Sequence, residues 1–386
     1  MTLRVLSIFG TRPEAVKMAP VVQALASTPG ITSQVCVTAQ HRQMLDQVLD
    51  LFDIHPDVDL DLMQPDQNLA SLTSEIFLHL DPVLVKLKPD WILVQGDTTT
   101  VAASSLAAFY RHILVGHVEA GLRTHDKWQP FPEEINRRLA SVLADLHFAP
   151  TDWARQNLLR ENIPPNKVLV TGNPVIDALQ AVAKLPPTPV VLDLFKHLGI
   201  PFRPRESSHT GTAGSPRLVL VTAHRRENFG VPLEHICSSL KKLSDIYREA
   251  IRIVYPVHLN PNVQEPVHRI LSGIPNIILL EPLDYLPMVQ LMRNASLILT
   301  DSGGLQEEAP AFGVPVLVMR QVTERPEGVQ SGTVRLVGTD PDEILSQACL
   351  LLDDPQAYAL MAHAVNPYGD GKAAPRIVNA ILQAGA

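Results

Sequence analysis

Three acidic residues in the first half of the chain stand where a folded protein could use them for proton transfer. Asp97 follows the apolar run of residues 91–94, Glu119 ends the run of residues 113–118, and Glu133 opens a helix-like segment. Carboxylates that meet at one site can serve as a base, an acid and an orienting partner. Taken singly, Asp97 is also typical of a helix N-cap and Glu133 of a first-turn acid. The set indicates proton-transfer chemistry more strongly than any member does.

A stretch in the second half has the character of an anion site. The apolar run of residues 297–300 ends in Asp301-Ser302-Gly303-Gly304, and a helix-like segment follows at residue 305. Glycines let backbone N–H groups approach a ligand, and the amides and dipole of a helix start favour an anion. One turn further, Glu308 can reach a diol beside a phosphate. The alternative is an ordinary strand-to-helix turn with a surface glutamate, which Gly-Gly alone does not exclude.

Cationic side chains follow several of the predicted strand ends. Each one alone is more often a solvated surface group, but together they favour a diphosphate as the ligand. The histidines show no spacing typical of metal ligands, and no cofactor motif is present, so we expect neither a metal nor a cofactor. The cations are Arg12 and Lys17 in the first strand-to-helix turn, His224 and Arg225 after the first strand of the second half, and Arg325 after the predicted last parallel strand.

The elements that must position these residues alternate between strand-like and helix-like segments. Such alternation predicts an α/β fold, here two Rossmann-like doubly wound domains that face each other across a cleft. Ligands of these sheets bind at the carboxyl ends of the strands. We predict a first domain of residues 1–171, with a C-terminal helix in residues 368–386 packing back on it, and a second of residues 172–367. Residues 185–216, rich in Pro, Ser, Thr and Gly, are predicted to form a loop.

Composition narrows the class of protein. The chain has 386 residues, 46% of them hydrophobic, and a net charge of −8. An acidic balance argues against nucleic acid or an anionic membrane as the main partner. Three isolated cysteines indicate reduced thiols, and the chain has no long apolar run and no signal-peptide pattern. We therefore expect a cytoplasmic protein.

Short motifs appear in order from residue 3 to residue 371, nearly the whole chain. They include Gly10-Thr11-Arg12-Pro13-Glu14, Gly96-Asp97-Thr98-Thr99-Thr100, His117-Val118-Glu119-Ala120-Gly121, Pro132-Glu133-Glu134-Ile135-Asn136-Arg137, Thr171-Gly172-Asn173-Pro174, His224-Arg225-Arg226-Glu227 and Asp301-Ser302-Gly303-Gly304-Leu305-Gln306-Glu307-Glu308. Together these motifs resemble those of the bacterial non-hydrolysing UDP-N-acetylglucosamine 2-epimerases.

The resemblance implies a glycosyltransferase-B type fold, a homodimer, and reversible interconversion of UDP-GlcNAc and UDP-ManNAc. It also implies roles for individual residues. Catalysis would fall to Asp97, Glu119, Glu133 and His224. UDP and substrate would be held by Arg12, Lys17, Asp97, Glu119, His224, Leu283, Met288, Ser302, Gly303, Gly304, Glu308 and Arg325. A second UDP-GlcNAc, acting as an allosteric activator, would meet Gln43, Glu133, Arg225 and His258.

Two positions depart from the family pattern. Relatives often have Pro-Gln-x-Tyr-x-x-Phe where this chain has Pro282-Leu283-Asp284-Tyr285-Leu286-Pro287-Met288, so a flexible Met288 replaces an aromatic contact. Main-chain groups at Leu283 can still pair with uracil. The second departure is Ala223, where many relatives have glycine before the histidine. Neither change involves the candidate acids.

The chemistry of such a reaction explains the need for acids and cations. The sugar C2–H is not acidic, and elimination of UDP across C1–C2 to a 2-acetamidoglucal avoids a free carbanion. That step needs a carboxylate base and a cationic shell for the departing diphosphate. The sequence leaves three alternatives open: a hydrolysing relative that releases free ManNAc and UDP, a retaining glycosyltransferase, and a non-catalytic sugar-nucleotide sensor. It does not divide the roles of the three acids.

Overall fold

The computed structural model describes residues 2–39, 42–62, 67–203 and 215–385, without the side chains of residues 42 and 43. The chain forms two compact units, Met1–Gln180 with Tyr368–Ala386, and Ala181–Pro367. Within the described residues, each unit contains one parallel sheet with helices between successive strands. The predicted α/β class with two Rossmann-like doubly wound domains is therefore confirmed.

The two sheets share a strand order in which the first strand is central. The first unit has the order β3-β2-β1-β4-β5-β6-β7, and the second has β10-β9-β8-β11-β12-β13. The central strands are apolar and almost wholly buried, as expected for a sheet covered on both faces. The strands are β1 Leu3–Phe9, β2 Ile31–Val37, β3 Val58–Asp59, β4 Trp91–Gln95, β5 Leu114–Val118, β6 Leu146–Ala149, β7 Val168–Val170, β8 Arg217–Thr222, β9 Ile251–Pro256, β10 Ile277–Leu280, β11 Ala295–Thr300, β12 Val316–Val318 and β13 Val334–Leu336.

The helices connect these strands, and many begin with a capping residue and a proline. Thr11, for example, caps the first helix through a reciprocal capping box with Glu14. The helices are α1 Arg12–Ala26, α2 Arg42–Leu51, α3 Leu69–Leu87, α4 Thr99–Tyr110, α5 Glu133–Leu143, α6 Asp152–Arg160, α7 Pro174–Ala183, α8 Pro189–Leu198, α9 Val231–Tyr247, α10 Pro261–Leu271, α11 Tyr285–Asn294, α12 Gly303–Glu308, α13 Pro326–Gln330, α14 Pro341–Asp353, α15 Pro355–Ala362 and α16 Ala373–Ala384.

The border between the units lies within α7 and not before it. The first unit extends to Gln180, whereas the sequence placed the border after residue 171. Hydrogen bonds explain why the start of α7 stays with the first unit. The N–H of Asn173 donates to the carbonyl of Tyr368 (2.7 Å), and the Asp177 carboxylate accepts the first amides of α16 at 3.1 and 3.0 Å. Helix α16 packs against α1 of the same unit.

Three local predictions are corrected by the structure. Part of the predicted loop of residues 185–216 is the helix α8, which Thr188 caps, whereas residues 204–214 lie outside the described part of the chain. Strand β13 follows Arg325, so that arginine lies between β12 and β13 and not after the last strand. Helix α12 begins at Gly303, so both glycines form its first turn. Among the described residues, none of the helices combines the length and apolar character needed to span a bilayer.

Candidate active site

Glu119 is held on several sides by other residues of the first unit. It follows β5 with a φ of +63°, a conformation uncommon for glutamate, and its side chain is 3% exposed. Lys17 Nζ lies 2.7 and 2.6 Å from its two carboxylate oxygens. Asn173 Nδ2 donates to Oε1 at 3.2 Å, and Gln95 Nε2 donates to Oε2. Contacts from α1, β4 and the start of α7 therefore fix the carboxylate in one orientation.

Asp97 lies beside Glu119 in the turn between β4 and α4. The Arg137 guanidinium donates to Asp97 Oδ2 through Nε at 3.0 Å and Nη2 at 2.7 Å. Asn136 Nδ2 donates to the Asp97 carbonyl at 2.9 Å. The Glu119 carboxylate is close to the same turn, since a Cβ built on Gly96 would stand 3.9 Å from Glu119 Oε2. Two acids thus meet at the carboxyl ends of neighbouring strands.

The two consecutive glutamates that open α5 differ in their surroundings. Glu134 is fully buried and accepts the N–H groups of Thr124 (3.1 Å) and His125 (3.2 Å), and Arg137 Nη1 at 3.2 Å. Glu133 Oε2 is buried with no hydrogen-bond partner among the residues that the structure describes. An unpaired buried oxygen is costly in a folded protein. Glu134 therefore organises the preceding loop, and Glu133 keeps an oxygen for another partner.

Glu14 connects the two turns that bear candidate residues of the first unit. One of its oxygens accepts two backbone N–H groups of the β1–α1 turn at 3.0 and 2.7 Å, next to Arg12. The other accepts the hydroxyl of Thr98, which follows Asp97, at 2.6 Å. Burial raises the pKa of Glu14, although these hydrogen bonds oppose the shift. The buried carboxyl thereby fixes the turn of Arg12 against the turn of Asp97.

Two buried histidines lie in register below this site. His117 Nε2 is 2.7 Å from the carbonyl of Gly96, and His117 pairs with His147 across β5 and β6. Burial lowers the pKa of His117 to about 4 and that of His147 to about 3. Both rings are therefore neutral at physiological pH. His117 therefore supports the turn of Asp97 as a neutral, fully buried ring, and His147 lies behind it on the neighbouring strand.

Asp301 organises the candidate nucleotide site of the second unit. Its fully buried Oδ2 accepts the backbone N–H groups of His224 and Arg225, both at 2.8 Å, and Asn228 Nδ2 at 3.0 Å. These donors belong to the turn after β8, whereas Asp301 itself follows the neighbouring β11. The carboxylate therefore ties the two central turns of this sheet together.

The guanidinium of Arg325 lies directly on the first turn of α12. A Cβ built on Gly303 would collide with Arg325 Nη1, so a larger residue there would require the guanidinium to move. Arg325 pairs through Nε with Glu307, and through Nη1 with Glu324 at 2.7 Å. Burial tends to raise the pKa of Glu324, but Arg325 and Arg320 outweigh it and lower that pKa to about 2. Glu307 and Glu324 thus keep the Arg325 guanidinium beside the start of α12.

Two of the histidines of the second unit stack on each other. The rings of His224 and His258 have centroids 5.4 Å apart and planes within 14°. Burial lowers the pKa of His224, and His258 lowers it further, whereas Asp301 acts in the opposite direction. Arg225 Nη2 lies 3.8 Å from Glu324. The side chain of Gln43, a predicted allosteric contact, lies outside the described part of the chain.

Glu308 lies in the last position of α12 and is mostly buried. The hydroxyl of Tyr285 donates to Glu308 Oε2 at 3.1 Å. Tyr285 begins α11, so it follows the loop that contains Leu283, and Met288 lies on the first turn of the same helix. Leu283 and Met288 are both half-buried. The candidate base and ribose contacts therefore belong to adjoining segments of the second unit.

Comparisons with known proteins decide which family this arrangement belongs to. A family model described as UDP-N-acetylglucosamine 2-epimerase matches residues 23–382. A UDP-N-acetylglucosamine 2-epimerase of Yersinia pestis is 56% identical over 380 residues, 98% of each chain. The chain belongs to the UDP-N-acetylglucosamine 2-epimerase family. The resemblance inferred from the motifs is thus confirmed at this level.

Solved structures of epimerases agree with this assignment over the whole length. The UDP-GlcNAc 2-epimerase of Neisseria meningitidis bound to UDP-GlcNAc is 48% identical, with a TM-score of 0.85 and coverage of 99% of this chain and 100% of that one. The S. aureus MnaA–UDP co-structure is 45% identical, also with a TM-score of 0.85, and the match covers 99% of this chain and 97% of that one. The epimerase fold therefore extends over both units.

The structure adds residues to the epimerase site that sequence reasoning missed. Arg137 appeared in a quoted motif, and Gln95 and Asn173 lie next to or within others, but none was predicted as a site residue. A long-range contact with an acid cannot be read from local spacing. Asp301 was treated as part of a turn, although its position after an apolar strand was a usable signal. The roles assigned to Asp97, Glu119, Glu133 and His224 remain predictions.

Proposed function

We propose that this protein interconverts UDP-GlcNAc and UDP-ManNAc reversibly, without releasing free sugar. The observation that carries the proposal is the fixed pair of acids at the ends of β4 and β5. Asp97 is held by Arg137 and Glu119 by Lys17. Relatives with the same fold were solved with UDP-GlcNAc or UDP bound. Acids of the first unit would act on the sugar, and the second unit would hold the nucleotide.

The first step of the proposed reaction is an elimination. A carboxylate removes the proton from C2 of the sugar, and the C–H electron pair forms a double bond between C1 and C2. The C1–O bond breaks, and its electrons go to the β-phosphate oxygen of UDP. The products on the enzyme are 2-acetamidoglucal and UDP. Fixed positive charge around the departing diphosphate stabilises this transition state, the part we assign to Arg12 and Arg325, and His224 is assigned to the same diphosphate as a hydrogen-bond donor.

The second step reverses the first on the other face of the sugar. The β-phosphate oxygen adds to C1 while a proton reaches C2 from the opposite side, which inverts that carbon. Such inversion needs proton-transfer groups on both faces. Glu133 is well suited to one of them, because its buried oxygen can exchange a proton without breaking an ion pair. Asp97 and Glu119, both anchored by cations, complete the set.

Ser302, Gly303, Gly304 and Arg325 are proposed to hold the diphosphate, and Glu308 the ribose. The amides at the start of α12 and the guanidinium on Gly303 supply donors suited to phosphate oxygens. Main-chain groups at Leu283 and the side chain of Met288 are proposed to contact uracil. No metal or cofactor takes part in the proposed steps.

The products test the proposal against its hydrolysing alternative. Purified protein incubated with UDP-GlcNAc should give UDP-ManNAc at equilibrium. In the reverse direction, UDP-ManNAc supplied with a trace of UDP-GlcNAc should give UDP-GlcNAc. Release of free ManNAc in amounts equal to UDP would contradict the reversible reaction. Binding of UDP-GlcNAc with neither product would favour a sensor.

A homodimer is proposed on the strength of an exposed apolar face in the first unit. Leu78 of α3, Phe109 and Tyr110 of α4 and Val142 of α5 are each more than half exposed, and α4 packs against both other helices. Such a surface is typical of an interface between proteins. Light scattering at micromolar concentration should give twice the mass of the chain. A mass of one chain would contradict the dimer.

Activation by a second UDP-GlcNAc is also proposed. His258 and Arg225 adjoin His224, so a ligand that meets both would lie beside the diphosphate site. Positive cooperativity in UDP-GlcNAc, and no turnover of UDP-ManNAc alone, is the expected result. Hyperbolic kinetics with both substrates would contradict activation.

A further inference from the structure

The strongest observation outside the proposed catalytic groups is the buried hydrogen bond between Tyr285 and Glu308. We propose that Tyr285 is a positioning residue that makes the nucleotide site selective for ribose over deoxyribose. It does so by orienting the Glu308 carboxylate toward the ribose diol. The inference rests on the proposed function, because it deepens the assignment of Glu308 to the ribose.

The geometry shows how a tyrosine can orient this carboxylate. Its hydroxyl donates to Glu308 Oε2 at 3.1 Å, and both side chains are buried. The other oxygen, Oε1, lies on the side of Gly304, 3.4 Å from the place of a Cβ on that glycine. A hydrogen bond to one oxygen fixes the plane of the carboxylate, and so directs the second oxygen toward the start of α12.

Orientation matters because a carboxylate recognises a diol only when it is correctly placed. A glutamate side chain loses rotational freedom when it binds, and a partner that holds it beforehand removes part of that cost. A hydrogen bond to a charged group adds about 10-fold to 100-fold in affinity when both groups are aligned. Without the tyrosine hydroxyl, the same carboxylate would be less well positioned and would discriminate less.

The position of Tyr285 also links two parts of nucleotide recognition. Tyr285 follows the β10–α11 loop, two residues after Leu283, whose main chain we assign to uracil. The 3₁₀ turn after α12 packs against α11. The β10–α11 loop would thus bind the base through its main chain. Through Tyr285, which follows it, the same loop would orient the Glu308 carboxylate that binds the ribose.

Binding of UDP and of 2′,3′-dideoxy-UDP to the full-length protein tests the inference by calorimetry. The wild-type protein should bind UDP at least about tenfold more tightly than the dideoxy nucleotide. In Tyr285→Phe, this ratio should fall to about threefold or less, mainly through weaker binding of UDP. With UDP-GlcNAc as substrate, the variant should raise KM more than it lowers kcat.

Tyr358→Phe is the matched control. It removes a buried tyrosine hydroxyl of the same unit that has no hydrogen-bond partner among the described residues. Its ratio of affinities should equal that of the wild-type protein. Glu308→Gln should lose the discrimination as Tyr285→Phe does, and the double variant should lose no more than either single one, because both changes act on one interaction.

The outcomes separate failure of the inference from failure of the proposed function. Absence of UDP binding to the wild-type protein would reject the proposed function. UDP binding with no preference over the dideoxy nucleotide would reject the ribose role of Glu308 alone. Full discrimination by a folded Tyr285→Phe would overturn the inference. If that variant does not fold, Tyr285→3-fluorotyrosine keeps the ring and provides a stronger donor, so a ratio below that of the wild-type protein would overturn it instead.

Discussion

The two units share a topology but present opposite chemistry at the same place in the sheet. In each, the first strand lies between the second strand and the fourth: β1 between β2 and β4, and β8 between β9 and β11. The first sheet differs by one additional edge strand, β7. In each, a buried carboxyl ties the turns after two neighbouring strands together, Glu14 in the first unit and Asp301 in the second. The doubly wound fold and its buried acid thus recur.

The difference lies in what the tied turns present. In the first unit they present Asp97 and Arg12, with Glu119 after the adjacent strand, and Arg137 and Lys17 hold the two acids. In the second unit they present His224 and the amides of α12, and the acids lie behind Arg325. The same scaffold can therefore hold a proton-transfer site or an anion site. Which kind of site forms depends on whether the turns present acids that cations hold in place, or donors and a cation that acids hold in place.

The largest effect should come from Glu119→Gln. The amide cannot accept a proton from carbon or pair with Lys17, so kcat should fall about 10³-fold with little change in KM. Steady-state conversion of UDP-GlcNAc measures this loss. Glu75→Gln, which alters a glutamate of α3 paired with His79 at the surface, should leave kcat unchanged. A kcat within threefold of wild type in Glu119→Gln would remove Glu119 from the mechanism.

Glu133→Gln should reduce kcat about 100-fold, a smaller loss because the anchored acids remain. Since Glu133 is not held by a cation among the described residues, its amide should leave the unfolding midpoint nearly unchanged. Parallel measurement of kcat and of thermal unfolding checks both expectations. Loss of stability with normal kcat would show that Glu133 is a structural residue.

Arg325→Lys should act mainly on binding, which would sharpen the contrast between the units. Lysine keeps the charge but loses the fork that meets Glu307, Glu324 and the face of Gly303. KM for UDP-GlcNAc should rise about tenfold, with a smaller effect on kcat. Arg269→Lys, at an exposed pair with Glu234 and Glu265, is the control and should behave as wild type. An unchanged KM would place the diphosphate elsewhere.

The smallest expected effect is the pH dependence of folding stability that His147 of the first unit causes. Burial lowers the pKa of His147 to about 3 from 6.5, so the folded protein holds this ring neutral while the unfolded chain protonates it. Above pH 6.5 the neutral His147 makes its full contribution to the free energy of unfolding. This contribution declines as the pH falls toward 3, by at most about 1.4 kcal/mol per pH unit. His147→Phe removes this dependence.

Urea unfolding at pH 7.5 and pH 5 measures the effect. The loss of stability between these pH values should be smaller in His147→Phe than in wild type. An equal loss in both proteins would show that His147 is not the source.

The fold was largely predictable because strand and helix periods are local. Apolar runs such as residues 297–300 and the turn residues after them located most elements. The helix α8 was missed because its flanking prolines and loop-like composition masked a short amphipathic pattern. Strand β13 was missed because three residues give no clear period. The border within α7 depends on Asn173 and Asp177 contacting residues near the C-terminus, information that local sequence does not contain.

The candidate site was predictable to the extent that motifs mark strand ends. Asp97, Glu119 and the Ser302–Gly304 turn follow this rule and lie at the carboxyl edges of their sheets. The partners of the acids could not be predicted, since Arg137 and Asn173 are separated from them by long stretches of chain. Glu134 directly follows Glu133 in the sequence, and what distinguishes it is burial, its two backbone donors and Arg137.

Proton transfer at C2 by acids of the first unit is the central claim, and hydrogen exchange tests it most directly. UDP-GlcNAc is incubated with the protein in deuterated water, and both nucleotide sugars are analysed by NMR. We expect deuterium at C2 of all UDP-ManNAc formed and its gradual appearance in recovered UDP-GlcNAc, with no label when Glu119→Gln is used. Formation of UDP-ManNAc that keeps the original hydrogen at C2 would contradict it.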